Sequence, residues 1–570
     1  MRERTVAYES RLTHHGSRST DYESRLTSHA FTVMAAFVLS RLLGLAREMA
    51  ISSHFGTSGE LDAYLAAFRI PDILFQLMAG GALASAFIPT FAGLLANNDN
   101  RTAWRLVYDL IRILVAGLGL LSLVCALLAR PLVRNIVAPG FDPARQALTA
   151  NLMRIMLLTP VVFAVSGIFM GILNSYQRFL AAALAPSAYN LAIILGALLL
   201  APHFGVYGLA LGVVVGAVLH YLSQLPQVWR LMKSGQQSAV SSSNLTPPPP
   251  SPLGEGGGRP PSPARGEPAL SRAKWAGGEV RFSPQVREVV RLMLPRTVGL
   301  AGVQVNFLVN TILASLLSPG SLAIINFAWM LMLLPQGVFA QGVATAVFPT
   351  FSALAARQEW QQLRELLLKA LRGVLFLAIP ATLGLILLRQ PIVSLVFQRR
   401  AFGADSVAAV AWVLAFYSLG LCAHSGLEVL TRAYYALHDT RTPVAVGLIA
   451  MSLNVFFSLA LMRPLREAGL ALANSLATWL ELLALWLILS GRLAGLRLAP
   501  LLPALARIGL ASAFMALCLL LLRLLSLAPA PTGLAGIALG GIAYLAASAA
   551  LGVPEVRLAL ARGRGMMRGG

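Results

Sequence analysis

The stretch SRLLGLARE, residues 40–48, places two guanidinium groups and a carboxylate inside a largely apolar run, 31–54, long enough to cross a bilayer. On a helix advancing about 100° per residue, Ser40, Arg41, Gly44, Arg47 and Glu48 share one arc of about 120°, and Leu42, Leu43, Leu45, Ala46, Met49 and Ala50 fill the rest. A charge facing lipid at mid-membrane costs from about 2.5 to more than 10 kcal/mol, so such residues normally face water or a partner. One reading is that Arg41 and Glu48, seven residues apart on one face, pair with neighbouring helices. The other starts from charge: one glutamate does not neutralise two arginines, so the stripe predicts a cavity that attracts an anion. The guanidinium fork suits phosphate oxygens in particular.

A second, weaker stripe follows. Asp62, Arg69, Asp72, Gln76 and Gly80 lie within about 80° of one another, with Pro71 bending the later part. Other chemistry is missing from the chain: there is no GxxxxGK[ST] loop, no HExxH, and no His, Cys and carboxylate set at metal spacing. His220 and His424, the two histidines in apolar surroundings, are expected to hydrogen-bond neighbouring helices. Cys125, Cys422 and Cys518 sit in apolar runs and read as core or lipid-facing residues. The expectation is a transporter rather than an enzyme, without catalytic residues, metal ligands or a resident cofactor.

The elements that must position these stripes are membrane helices. With 57% hydrophobic residues, 12% charged residues and a mean hydropathy of +0.71 over 570 residues, the chain has too little polar surface to cover a soluble globule. The formal charge of +22 sits on no polar domain of the kind that binds nucleic acid. Fourteen apolar segments of about 20 residues are expected near 31–54, 62–96, 106–129, 149–174, 183–202, 206–228, 286–316, 321–352, 366–388, 406–431, 443–461, 468–490, 501–524 and 533–552. On alternate connections, one side carries 30 of the 45 Lys and Arg and the opposite side 8, a positive-inside bias that predicts both termini in the cytoplasm. Residues 1–30, which hold YESRLT twice, read as a cytoplasmic tail without a signal peptide. Residues 234–285 are rich in Pro, Gly and Ser and read as a disordered cytoplasmic linker. On either side of it AFIPTFAGLLA (86–96) recurs as AVFPTFSALAA (346–356), an offset of 260 residues that predicts two parallel repeats with a cavity between them.

SRLLGLAREMAISSHFGTSGELDAYLAAFRIPD, GGALASAFIPTF, APGF (138–141), GILNSYQRF (171–179) and RAYYALHDTRTPV (432–444), in this order, closely resemble the MurJ/MviN family, the bacterial lipid II flippases of the multidrug/oligosaccharidyl-lipid/polysaccharide exporter superfamily. The resemblance runs from about 31 to 552. It implies an all-α polytopic membrane protein of about 14 transmembrane helices: an N-lobe (31–233), a C-lobe (286–490), two C-terminal helices (491–552) forming a lipid-tail groove, and a basic tail (553–570). It implies alternating access at a cationic cavity that holds the diphosphate of an undecaprenyl-linked peptidoglycan precursor. By position, Arg41 and Arg47 match span-1 cavity arginines, Asp62 an acidic residue at the outer end of span 2, and Arg69 a basic position before the Pro of RIPD. Arg296, in LMLPRTVG, is a further basic candidate from position alone. Ser40, Gly44, Glu48, Asp62, Gly80 and Gly81 are the expected conformational or gating positions. Phe75 and Gln76 stand where the family usually has another arginine, and Trp329 and Met330 where it has an Asp-Arg pair.

The expected function is translocation of lipid II from the inner to the outer leaflet of the bacterial plasma membrane, driven by the membrane potential or a monovalent ion. The expected partners are that precursor, membrane lipid and cell-wall synthesis proteins, around a monomer that binds no nucleic acid. A divergent paralogue exporting another polyprenyl-phosphate lipid or an amphipathic solute, or a non-transporting scaffold for cell-wall enzymes acting through PPPPSP and RPPSP in the linker, is the alternative.

Overall fold

Proline, glycine and charge interrupt the apolar runs at regular intervals, and the chain answers with helices alone among the described residues. The computed structural model describes residues 36, 38–78, 81–233, 284–524 and 529–556. The first half runs α1 (38–55), α2 (Gly59–Ala67), α3 (Arg69–Met78), α4 (Gly81–Ala96), α5 (Asn100–Leu127), α6 (Ala129–Leu132), α7 (Pro143–Met156), α8 (Thr159–Ser175), α9 (Phe179–Leu195), α10 (Ala201–Phe204), α11 (Val206–Leu222) and α12 (225–233). The second runs α13 (Pro284–Ser315), α14 (Ser321–Pro335), α15 (Gln341–Ala356), α16 (Trp360–Leu387), α17 (Arg389–Phe397), α18 (Ala404–Ser418), α19 (Leu421–Ala436), α20 (Arg441–Leu465) and α21 (Glu467–Arg492), followed by α22 (Leu502–Leu524) and α23 (Pro529–Ala550).

The duplication extends far beyond the eleven-residue motif. α4 and α15 each hold the motif's proline inside the helix, Pro89 and Pro349, and its second phenylalanine is fully buried in both, as Phe91 and Phe351. α5 and α16 begin and end 260 residues apart. The turns before them break at a left-handed residue in each half, Asn98 (φ 57°) and Gln358 (φ 58°), and later turns do the same at Gln177 and His438, and at Gly205 and Arg466. A single left-handed residue ends one helix and redirects the next, so conserving its place conserves the path of the chain.

Within the first half, Gly208, Gly212 and Gly216 recur every four residues on α11. A Cβ on Gly212 would stand 3.2 Å from Gly196 Cα, so the missing side chains let α9 and α11 touch backbone to backbone. α22 and α23 pack on α16 and α17, where the Tyr544 hydroxyl donates to Phe376 O at 2.5 Å. Residues 553–556, expected to open the basic tail, are instead docked: Val553 and Val556 are buried against Phe376, Leu388 and Ile508, and Glu555 pairs with Arg372. Likewise α13 starts at Pro284, inside the expected linker. Residues 1–35, Gly80, the rest of the linker and 557–570 lie outside the described residues.

Ten helices among the described residues are long and apolar enough to cross a membrane, and α18 with α19, bent by 44° at their junction, makes an eleventh if the pair is one span. Each of the fourteen expected segments overlaps at least one helix. The three outside that set are 31–54 and 62–96, which carry the stripe charges, and 286–316, whose first half carries Arg287, Glu288, Arg291 and Arg296. Within the 62–96 segment, α2 and α3 are parted at Phe68, and 79–80 lie outside the described residues.

Candidate functional site

α1, α2, α3 and α9 of the first half meet α13, α14, α20 and α21 of the second around two adjoining chambers that hold charged and amide side chains. The smaller, about 200 Å³, is lined by Arg47, Glu48, Tyr64, Arg69, Asp72, Tyr189 and Asn326 among others. The larger, about 380 Å³, is lined by Arg69, Asn306, Asn310, Thr311, Asn326, Trp329, Tyr417, His424, Asn454, Asn474, Thr478 and Glu481 among others. Arg69 and Asn326 line both, so they stand between the two.

Glu48, for which a partner on a neighbouring helix was one expectation, pairs instead with Arg47 of its own helix, at 2.6 Å. Adjacent residues on a helix point about 100° apart, but the long arginine side chain reaches back around the helix to the buried carboxylate. Asn190 of α9 completes the cluster: its Oδ1 accepts from Arg47 at 3.1 Å, its Nδ2 donates to Ser40 O at 3.3 Å, and the same amide nitrogen packs over Gly44. Arg41 lines neither chamber. It crosses to the second half, donating to Gln341 Oε1 at 3.3 Å, and its guanidinium lies 2.7 Å from where a Cβ on Gly337 would stand.

The smaller chamber's lining holds two guanidiniums, Arg47 and Arg69, and two carboxylates, Glu48 and Asp72. Its formal charge is therefore balanced, in place of the expected positive excess. Arg69 is the less committed cation: it donates to Thr311 Oγ1 at 2.8 Å, lies over the Phe307 ring at 5.4 Å and makes no ion pair among the described residues. Arg296 lies on α13, and its side chain, like that of Gly81's neighbourhood on α4, is outside the described residues.

Asp62 does not line either chamber. It is 1% exposed, and its carboxylate accepts the backbone N–H groups of Gly320 (2.6 Å) and Ala323 (2.8 Å), capping α14 from the opposite half. Around it the halves are sealed on one membrane face. Ala401 N donates to Ser53 O at 3.1 Å, the Thr57 and Ser406 hydroxyls are 2.8 Å apart, and Gly140 N donates to Ser315 Oγ at 3.2 Å.

Where the arginine and the Asp-Arg pair were expected, Phe75 packs on Phe163 (5.1 Å), and Trp329 stands edge-on to Tyr417 (5.2 Å) and His424 (5.6 Å) in the larger chamber wall. His424 Nε2 bonds Asn474 Oδ1 at 3.1 Å, and His220 Nδ1 bonds Ser166 at 2.7 Å, so both histidines hold neighbouring helices. The asparagines of the larger chamber went unnoticed in the sequence, because they are uncharged residues spread over four apolar helices: Asn306 and Asn310 on α13, Asn326 on α14, Asn454 on α20 and Asn474 on α21. Glu481 was missed too. It lines the larger chamber and also heads an apolar groove of about 280 Å³ between α20 and α21.

Residues 51–532 match the sequence profile of the family described as "Lipid II flippase MurJ". A probable lipid II flippase MurJ of Rhizobium meliloti is 30% identical over 492 residues, covering 86% of this chain and 85% of that protein. The lipid II flippase MurJ of Burkholderia cenocepacia is 30% identical over 460 residues, 80% of this chain and 82% of that one. Among solved structures, a lipid II flippase MurJ in an inward closed conformation superposes with a TM-score of 0.70 over 90% of this chain and 97% of that one, at 23% identity. An inward-facing multidrug MATE transporter gives 0.61 over 82% and 98%, at 14% identity, and shares the fold alone. The polytopic helical fold and the match over most of its length together place this chain in the MurJ family of lipid II flippases.

Proposed function

We propose that this protein is the lipid II flippase of a bacterial inner membrane, moving the polyprenyl-diphosphate-linked peptidoglycan precursor from the inner to the outer leaflet. The observation that carries the reading is Arg69, a guanidinium without an ion pair among the described residues that lines both chambers, in a chain whose family is that of lipid II flippases. Arg69, with Arg41 and Arg47, and Arg296 as a fourth basic position, holds the diphosphate. Arg47 exchanges its bond to Glu48 for phosphate oxygens, a swap between two anionic acceptors of similar geometry. The asparagine-rich chamber receives the uncharged part of the headgroup, and the apolar surface of α20 to α23 receives the lipid tail.

Transport proceeds by alternating access. Ser40, Gly44 and Glu48 form the α1 surface that slides on Asn190, Asp62 holds the seam, and Gly80 with Gly81 supplies the bend in span 2. With no nucleotide-binding loop in the sequence, the membrane potential supplies the energy, about 2.3 kcal/mol per elementary charge per 100 mV. The protein acts as a monomer with both termini in the cytoplasm, alongside cell-wall synthesis proteins.

The test is growth of a bacterium depleted of its own lipid II flippase, carrying the wild-type protein or Arg41→Ala, Arg47→Ala or Arg69→Ala at matched membrane levels. Wild type is expected to rescue, and Arg69→Ala to fail. A well-inserted wild-type protein that does not rescue removes the lipid II assignment, and rescue by all three variants removes the diphosphate site.

A further inference from the structure

Away from the chambers, the connection between α5 and α7 folds into a pocket of about 440 Å³ on the membrane face of the Asp62 seam. Arg130, Pro131, Arg134, Asn135, Pro143 and Gln146 line it. We propose that this pocket binds a phosphate-type oxyanion, carried on a lipid headgroup or free at the membrane surface. The proposal goes beyond the flippase reading and does not depend on it.

Its two cations are uncommitted. Arg130 and Arg134 make no ion pair or hydrogen bond among the described residues, whereas Arg145, on the neighbouring helix, is held by Asp142. No carboxylate lines the pocket. The nearest acid in sequence, Asp142, is occupied by the side chain and backbone N–H of Arg145, whose hydrogen bonds hold its carboxyl below the usual range.

The local backbone explains the convergence. α6 passes into a π turn, Val133–Val137, closed by Ala138 N donating to Val133 O at 3.0 Å. The wider turn lets Arg134 and the next residue, Asn135, share the pocket with Arg130 one turn earlier. Gln146 donates to the carbonyls of Ala138 (3.4 Å) and Pro139 (3.3 Å), which fixes the opposite wall.

Exposed apolar surface flanks the pocket: Leu127 (71% exposed), Leu128 and Ile136 stand beside the arginines, the pairing of apolar and cationic side chains that suits a lipid headgroup. Two guanidinium forks and the Asn135 amide around one concavity match the oxygens of a phosphate ester, with Gln146 holding the wall. The face concerned carries 8 of the chain's 45 Lys and Arg by loop count, and two of them serve this pocket.

The test uses purified full-length protein in detergent micelles doped with equal phosphatidylcholine and phosphatidic acid, with retained lipid counted by native mass spectrometry. Wild type is expected to retain one phosphatidic acid in preference to phosphatidylcholine by about tenfold, and R130Q/R134Q to lose that preference. R399Q/R400Q, which removes the same charge from the same face outside the pocket, is expected to keep it. R134K, which preserves charge without the fork, weakens retention severalfold and covers the case in which the double variant does not fold. Displacement of the lipid by millimolar inorganic phosphate identifies a site open to free phosphate, and persistence of the lipid identifies a headgroup site. No preference in wild type, no loss in R130Q/R134Q, or equal loss in both double variants overturns the proposal. Growth rescue is a separate readout, so the two readings fail independently.

Discussion

At the scale of single residues, the α1 stripe is a hydrogen-bonded unit rather than a row of independent charges. Glu48 is 8% exposed and is held by Arg47. Breaking a buried pair costs about 3–5 kcal/mol; with Arg47's side chain 29% exposed, Arg47→Ala is expected to cost about 2 kcal/mol in detergent unfolding. Adding Glu48→Gln should return part of that loss, and a double variant that simply adds the two costs would show no pairing. Outside the spans, the turn at 437–440 carries a second residue-scale device. Hydrogen bonds from Thr442, and then from Arg492, hold the Asp439 carboxyl at about 2, below its ordinary 3.8. A depressed carboxyl stabilises the fold above its ordinary value and loses that contribution as pH falls through the folded one. Melting temperature should therefore fall between pH about 4 and about 2 in wild type, and less steeply in Asp439→Asn; parallel curves would remove Asp439 from the account. The polar stripe itself was legible in the sequence, because 3.6-residue periodicity sets which residues share a face. Its partners were not: Asn190 lies 143 residues from Arg47 and Gln341 lies 300 from Arg41.

At the scale of elements, the seam depends on one helix start. α14 begins at Gly320 in the left-handed region, φ 92°, and a Cβ there would stand 2.1 Å from Thr57 O. Gly320→Ala is therefore expected to open the seam and Asp62→Ala to loosen it by about 1 kcal/mol, the usual worth of a helix cap. The measurement is the rate at which a cysteine replacing Ser406 reacts with a bulky maleimide, in protein lacking its three native cysteines. It should rise in both variants; an unchanged rate in Gly320→Ala would mean that this contact does not hold the seam. Asp62 was singled out from sequence as an acidic residue at the outer end of span 2. That it caps a helix of the other half required the fold, since a cap is a contact between a side chain and whichever backbone arrives beside it. The expected continuous span 62–96 failed for a related reason. Hydropathy averages over a window and does not register where the helix turns at Phe68.

At the scale of the whole molecule, duplicated halves carry unequal chemistry. At the 260-residue offset, Arg41, Arg47 and Arg69 correspond to Ala301, Phe307 and Trp329, so one half presents cations and the other aromatic and amide groups. The two halves join without the linker: α13 packs on α3, α4 and α20 among the described residues. Deleting residues 236–282 is accordingly expected to leave growth rescue intact, and loss of rescue at normal membrane levels would give the linker a role of its own. The sequence by itself determined the membrane class, the placement of the apolar segments and the presence of a repeat. These depend on composition and periodicity, which each segment carries locally. Only the tertiary structure decided that there are two chambers, that Arg47 pairs with Glu48 while Arg69 makes no ion pair among the described residues, and that Asp62 bridges the halves. Those outcomes depend on which helices meet, and residues hundreds of positions apart exert no local signature of their future contact.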